Sequence, residues 1–230
     1  MKPFGGRFSY SLSLLLILSA IVHGALLVFD LGHPDSFVHV DHGPRRLKFM
    51  QGLLASAGSG QELADFATSH WIIGDYGLQA AIYGLVGQHG LIIFQIVLTL
   101  LSIACLYKLS LLVSSSEGTA LLAATVYAFL PHTLVYPHLL GSEAIFVPLV
   151  VFSFYFMARY LLEQPWLSHL LLSGLMIGLA TLARPVTVLW PVASSVVALL
   201  TFRSQLPFKR WFGYLLVASL PLLLWMLLIL

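Results

Sequence analysis

Charge is what this sequence has least of. Asp, Glu, Lys and Arg together make up 9% of the 230 residues, against about a quarter in a typical soluble domain. With 59% hydrophobic residues and a mean hydropathy of +0.95, water cannot be the solvent for most of the surface, and a large soluble domain is excluded. Cysteine is nearly absent too. Cys105 is the only one and lies in an apolar run, so neither a disulfide nor a thiolate zinc cluster can form within one chain. No basic run of the kind that grips nucleic acid occurs, and a net charge of +2 with a pI of 8.7 is too mild to suggest such a partner. Internal repeats and low-complexity stretches are missing, as is a clear small-x-small cleavage site after the first apolar run. That run therefore reads as a first span and not as a signal peptide.

What is present is a series of apolar stretches of spanning length. They fall at about 9–29, 90–113, 119–140, 143–162, 166–183, 186–202 and 211–230, each closed by a polar, Gly or Pro signal. The expectation is an all-α integral membrane protein with about seven transmembrane helices, residues 1–230 forming a single module. Between the first two stretches lies a long loop, 30–89, that holds most of the acids. Within it, 45–57, 61–73 and 77–87 mix apolar and polar residues and are too short to span, as helices lying at the interface are.

Lysine and arginine set the orientation. With a cytoplasmic N-terminus, Lys2, Arg7, Lys108, Arg159, Arg203, Lys209 and Arg210 sit at cytoplasmic ends, and only Arg45, Arg46, Lys48 and Arg184 lie outside. This topology, in the plasma (inner) membrane, gathers the loop 30–89, Ser142-Glu143 and Arg184-Pro185 on one external face.

In so apolar a chain each acid is informative, because a charge at the centre of a span costs about 2.5–3.5 kcal/mol. Asp41, in His39-Val40-Asp41-His42-Gly43-Pro44, could serve as a general base toward an acceptor hydroxyl at the bilayer surface, or be an ordinary turn aspartate. Ser142-Glu143 reads either as a helix cap with a first-turn acid or as a group in the same cleft. Arg184 could reach lipid head groups or hold a phosphate, and Arg45, Arg46 and Lys48 could neutralise a phosphate or bind anionic membrane lipid. His33, Asp35, His39, Asp41 and His42 are all metal-ligand types, so a divalent ion held by His33, His39 and His42 is a second use of this loop. His132 and Tyr136, four apart on one helix face, read together with His138 as packed, hydrogen-bonded core residues.

The order of these parts resembles a family. First span, long external loop with an early Asp, interfacial helices, Gly74 to Tyr83 with Val86-Gly87, then Gln95, Tyr107, the Pro131 region, Ser142-Glu143 and Leu179-Ala180-Thr181-Leu182-Ala183-Arg184-Pro185 are similar to the GT-C membrane glycosyltransferases. Those include protein O-mannosyltransferases and the aminoarabinose transferases that modify lipid A. The likeness covers roughly residues 8–200. It implies a polyprenyl-phosphate-linked sugar as donor, an inverting displacement, and a glycan, lipid or protein acceptor. By position it makes Asp41 the general base, with Asp35 as fallback, and places Glu143, Arg184, Arg45 and Lys48 around substrate and phosphate. Members are commonly longer, and this chain ends at Leu230 inside an apolar run, which carries the expectation of an N-terminal module that continues further or works with a membrane protein partner. Two other classes compete: a non-catalytic or partner-dependent module in glycan or lipid assembly, and a metal-binding membrane enzyme or transporter.

Overall fold

A computed structural model describes residues 10–32, 43–56, 74–163, 165–201 and 208–229. Among these, every regular element is a helix, as expected where backbone groups cannot turn to water for hydrogen bonds. The helices are α1 (Tyr10–Gly32), α2 (Gly43–Ser56), α3 (Gly74–Ser114), α4 (Glu117–Phe129), α5 (Pro131–Val135), α6 (Glu143–Leu162), α7 (Leu167–Ala183), α8 (Trp190–Thr201) and α9 (Phe208–Ile229), with single 3-10 turns at Tyr136–His138 and Pro185–Thr187.

The surface inverts that of a soluble protein. On α1, Leu14, Ile17, Ile21 and Val28 are exposed while Ser19, His23 and Asp30 are buried, so the polar stripe faces the protein and the apolar one faces outward, as lipid demands. Four segments, Tyr10–Gly32, Gly77–Ser114, Glu143–Leu162 and Lys209–Leu227, are long and apolar enough to cross a membrane, and Glu117–Phe129 with Pro131–His138 makes a fifth if that bent pair is one span. Among the described residues, then, four or five of the expected seven are full-length spans. Leu130, held extended at ψ 138° ahead of Pro131, breaks the stretch 119–140 into two pieces bent by 58°, as a residue preceding proline tends to do. The stretch 166–183 yields a helix of 17 residues, only about 26 Å at 1.5 Å per residue. The stretch 186–202 is divided between a 3-10 turn and α8.

The first loop holds the expected helix near 45–57, observed as Gly43–Ser56; 61–73 lies outside the described residues. The third expected interfacial piece is instead the first part of a 41-residue helix, interrupted at Gly87 with φ 70° and ψ −175°. Nothing lies within 4 Å of a β-carbon there. Glycine is needed at that point for its backbone angles, which other residues reach only with strain.

Two devices join the later helices. Gly174 and Gly178 of α7 let α9 approach until a β-carbon on Gly178 would overlap the Ala218 carbonyl oxygen and come within 3.0 Å of the Pro221 ring, the small-residue seam typical of helices in lipid. Between α6 and α7, Ser153 Oγ donates to the Ser173 carbonyl at 3.0 Å and Ser173 Oγ to the Ser153 carbonyl at 2.9 Å. Around them Leu149, Phe152, Tyr160, Leu170, Ile177, Trp211 and Tyr214 form one core. A second core joins α1, α3 and α4, where Ala120, Ala124 and Ala128 present a fully buried small stripe to Leu12, Leu15, Ile103 and Tyr107.

Candidate functional site

Two residues 41 positions apart meet where α6 begins and α7 ends. Arg184 cannot continue α7, because Pro185 disfavours the helical region for the residue before it, and it sits extended at φ −146°, ψ 118°. The Thr187 hydroxyl donates to its carbonyl at 3.3 Å and contacts Thr181 Oγ1 at 3.0 Å, fixing the turn. From there the guanidinium Nη2 pairs with Glu143 Oε1. Glu143 opens α6, where the helix dipole favours an acid.

Ser142 completes the arrangement. Its Oγ accepts from Arg184 Nε at 2.9 Å and donates to Glu143 Oε2 at 3.3 Å. It makes no side-chain cap to the helix and its backbone is already helical, at φ −61° and ψ −29°. The capping role that the sequence suggests for Ser142 is therefore not the one observed; its hydroxyl closes a ring of three side chains instead. Gly141 leaves room for it, since a β-carbon there would stand 3.0 Å from Glu143 Oε2. The Arg184 side chain is 42% exposed and that of Glu143 24%. The guanidinium also lies 5.8 Å above the Phe146 ring, a cation–π distance.

A floor of helices holds this turn in place. Gln79 Nε2 on α3 donates to the Gly141 carbonyl at 3.3 Å, and Met50 and Leu53 of α2 pack with Ala80, Leu91 and Leu140. The early helices thus press against the chain just before Ser142. Glu143 also lines a small, half-open cavity of about 30 Å³ with Thr99, Tyr127, His132, Thr133, Tyr136, Ala144, Val147 and two prolines. Tyr127 is tied to Ser102 Oγ at 2.9 Å, and Ser102 to the Thr99 carbonyl at 2.7 Å.

His132 and Tyr136 are not core residues as their spacing suggests. His132 is exposed and Tyr136 half-buried, their rings meeting edge to face at 5.0 Å, because the bend after Leu130 turns α5 out of the line of α4. His138 is buried, stacked on His23 of α1 with Nδ1 of His23 3.2 Å from Nε2 of His138.

Of the other residues singled out in the sequence, Asp35, Asp41, His33, His39 and His42 lie outside the described residues. Arg45 and Lys48 belong to α2; Lys48 is exposed and forms no ion pair with Glu143. Among the described residues no group of three or more His, Cys, Asp or Glu side chains could hold a metal ion. Asp30, near the C-terminal end of α1, escaped notice in the sequence. It is 4% exposed, and the His89 imidazole is close enough to act on it electrostatically. An acid ending an apolar run was the signal available.

A family model described as dolichyl-phosphate-mannose-protein mannosyltransferase matches residues 70–229, a stretch that contains the whole Ser142–Glu143–Arg184 ring and the cavity beside it. No curated protein and no solved structure matches the chain.

Proposed function

Since the chain belongs to the dolichyl-phosphate-mannose-protein mannosyltransferase family, membrane glycosyltransferases that use polyprenyl-phosphate-linked sugars, we propose that it transfers such a sugar to an acceptor hydroxyl at the non-cytoplasmic face of the inner membrane. The observation that supports a working site is the Glu143–Ser142–Arg184 ring. Three polar side chains from two helices converge on one partly exposed point in a chain that otherwise avoids charge.

In this reading Arg184 holds the donor's phosphate. Its guanidinium carries five N–H donors. One is committed to Ser142 and another to Glu143, so three remain for an anion without breaking the ring. The departing phosphate gains negative charge as the anomeric C–O bond breaks, and a fixed guanidinium stabilises it as it leaves. Arg45 and Lys48 on α2 add positive potential at the same membrane surface. Asp41, just ahead of α2, takes the proton of the acceptor hydroxyl as that oxygen attacks the anomeric carbon from the opposite side, inverting its configuration. Asp35 is the alternative base. Should the loop hold a divalent ion, His33, His39 and His42 are the side chains that would bind it.

The test uses membranes carrying wild type, Asp41→Asn or Arg184→Gln at matched expression, with a labelled polyprenyl-phosphate-sugar donor. Transfer by wild type that disappears in Asp41→Asn and drops at least about tenfold in Arg184→Gln is expected. Undiminished transfer in Asp41→Asn and in Asp35→Asn would remove the base from the mechanism.

A further inference from the structure

A buried contact joins the first span to the turn that precedes the ring. His23 on α1 and His138 at the end of the 3-10 turn are both fully buried, their rings stacked with centroids 5.5 Å apart and planes 20° from parallel. His23 Nδ1 stands 3.2 Å from His138 Nε2, so one of these nitrogens donates and the other accepts. Packing alone does not call for two imidazoles here. His23 Nε2 makes no hydrogen bond among the described residues, nor does Ser19 Oγ one turn away, and an orphaned polar atom inside a membrane protein is a cost that leucine would avoid. Hydrogen bonds between helices in lipid add little stability on average. What such a bond does supply is direction, since apolar surfaces slide over one another and a donor–acceptor pair does not.

The chain around His138 needs such a fixture. α5 ends at Val135 and α6 begins at Glu143. Between them Leu139 is extended, at φ −99° and ψ 151°, so no continuous helical ladder carries Ser142 and Glu143 to their places. The far part of this link is held by α2 and α3: Leu140 packs with Met50, Leu53 and Leu91, and Gln79 Nε2 reaches the Gly141 carbonyl. At its near end, four residues before Ser142, the link is bound to α1 through His138. We propose that His23 and His138 are positioning residues for the Glu143–Ser142–Arg184 ring, their hydrogen bond fixing the stretch Leu139–Ser142 so that Ser142 Oγ meets the Arg184 guanidinium. The inference rests on the transfer reading above and extends it to α1, which contributes no side chain to the ring. Both imidazoles are fully buried and act through Ser142 and Glu143, not on substrate. Misplacement by about 1 Å can cost about a hundredfold in rate, so a bond that adds little to stability still weighs on turnover.

The test uses the full chain in lipid nanodiscs with the labelled polyprenyl-phosphate-sugar donor, measuring kcat, equilibrium donor binding and thermal unfolding. His138→Leu and His23→Leu remove the bond and keep an apolar filling; His138→Gln and His23→Asn put an amide nitrogen where Nε2 and Nδ1 now stand. Both leucine variants are expected to lower kcat at least about tenfold, with Tm and donor affinity changed far less, and both amide variants to recover most of that loss. In a Ser142→Ala background, where the ring is already broken, His138→Leu should lower kcat no further; a merely structural role gives the same fold loss in both backgrounds. Should His138→Leu fail to fold, His138→Phe keeps a ring there without the bond. Unchanged kcat in the leucine variants, or an equal loss with and without Ser142, overturns the positioning and leaves transfer standing. If folded wild type transfers nothing, the enzyme reading falls and backbone hydrogen exchange at 139–143 decides the rest. Faster exchange in His138→Leu with wild-type rates in His138→Gln then upholds the positioning, and equal rates in all three overturn it.

Discussion

Replacing Gly178 by alanine separates two effects that oppose each other. Glycine inside a helix costs roughly 0.5–1 kcal/mol relative to alanine, so by propensity alone Gly178→Ala should stabilise α7. The new β-carbon, however, would overlap the Ala218 carbonyl oxygen and meet Pro221 Cγ and Cδ at 3.0 Å. Both obstacles belong to the backbone or to a rigid ring, so no rotamer change relieves them and α9 must move outward by several tenths of an ångström. Overpacking of this kind costs about 1–3 kcal/mol. The net loss is about 0.5–2 kcal/mol, which for a chain of this size lowers Tm by roughly 1–8 °C. Gly24 provides the control, since it too is helical and a β-carbon there meets nothing within 4 Å; Gly24→Ala should be neutral or slightly stabilising. Thermal unfolding of both variants in one detergent, followed by intrinsic fluorescence, reads the difference. An equal fall in both, or a gain at Gly178, would refute the close α7–α9 seam.

At Gly87, where the backbone lies in a region open essentially to glycine alone, Gly87→Ala should cost about 1–3 kcal/mol despite the empty space around it, measured by the same unfolding assay. In a double-mutant cycle of Glu143→Gln and Arg184→Gln, the coupling energy for stability should be no more than about 0.2–1 kcal/mol, because the pair is partly exposed. Sugar transfer should fall at least about tenfold in each single variant, which separates a functional pair from a structural one.

Helix positions were legible in the sequence to the extent that apolar length reports them. The boundary near Gly87 follows from a glycine between a mixed and an apolar stretch, and the meeting of Glu143 with Arg184 follows from counting spans, which put both junctions on one side. Span number was harder to read. An apolar run of about 17 to 22 residues looks the same whether it is straight, short or broken, and only the extended Leu130 ahead of Pro131 tells the bent case apart. Ser142 was open to misreading because a serine before an acid is the pattern of a cap; its actual partner is 42 residues away. His132 and Tyr136 share a helical spacing that resembles core, and the bend that turns them toward a cavity belongs to the tertiary arrangement.

The reciprocal hydrogen bonds between Ser153 and Ser173 stand at a telling height. Ten helical steps separate Ser153 from Glu143, and eleven separate Ser173 from Arg184, so the two arms rise about 15 Å and about 16.5 Å at 1.5 Å per step. The pair meets because those arms are equal to within one residue. Sequence drift along this hairpin is therefore free to exchange one apolar side chain for another but not to change the number of residues. A single insertion in either arm would turn its end by about 100° and raise it by 1.5 Å, leaving hydropathy untouched while carrying Glu143 and Arg184 out of each other's reach.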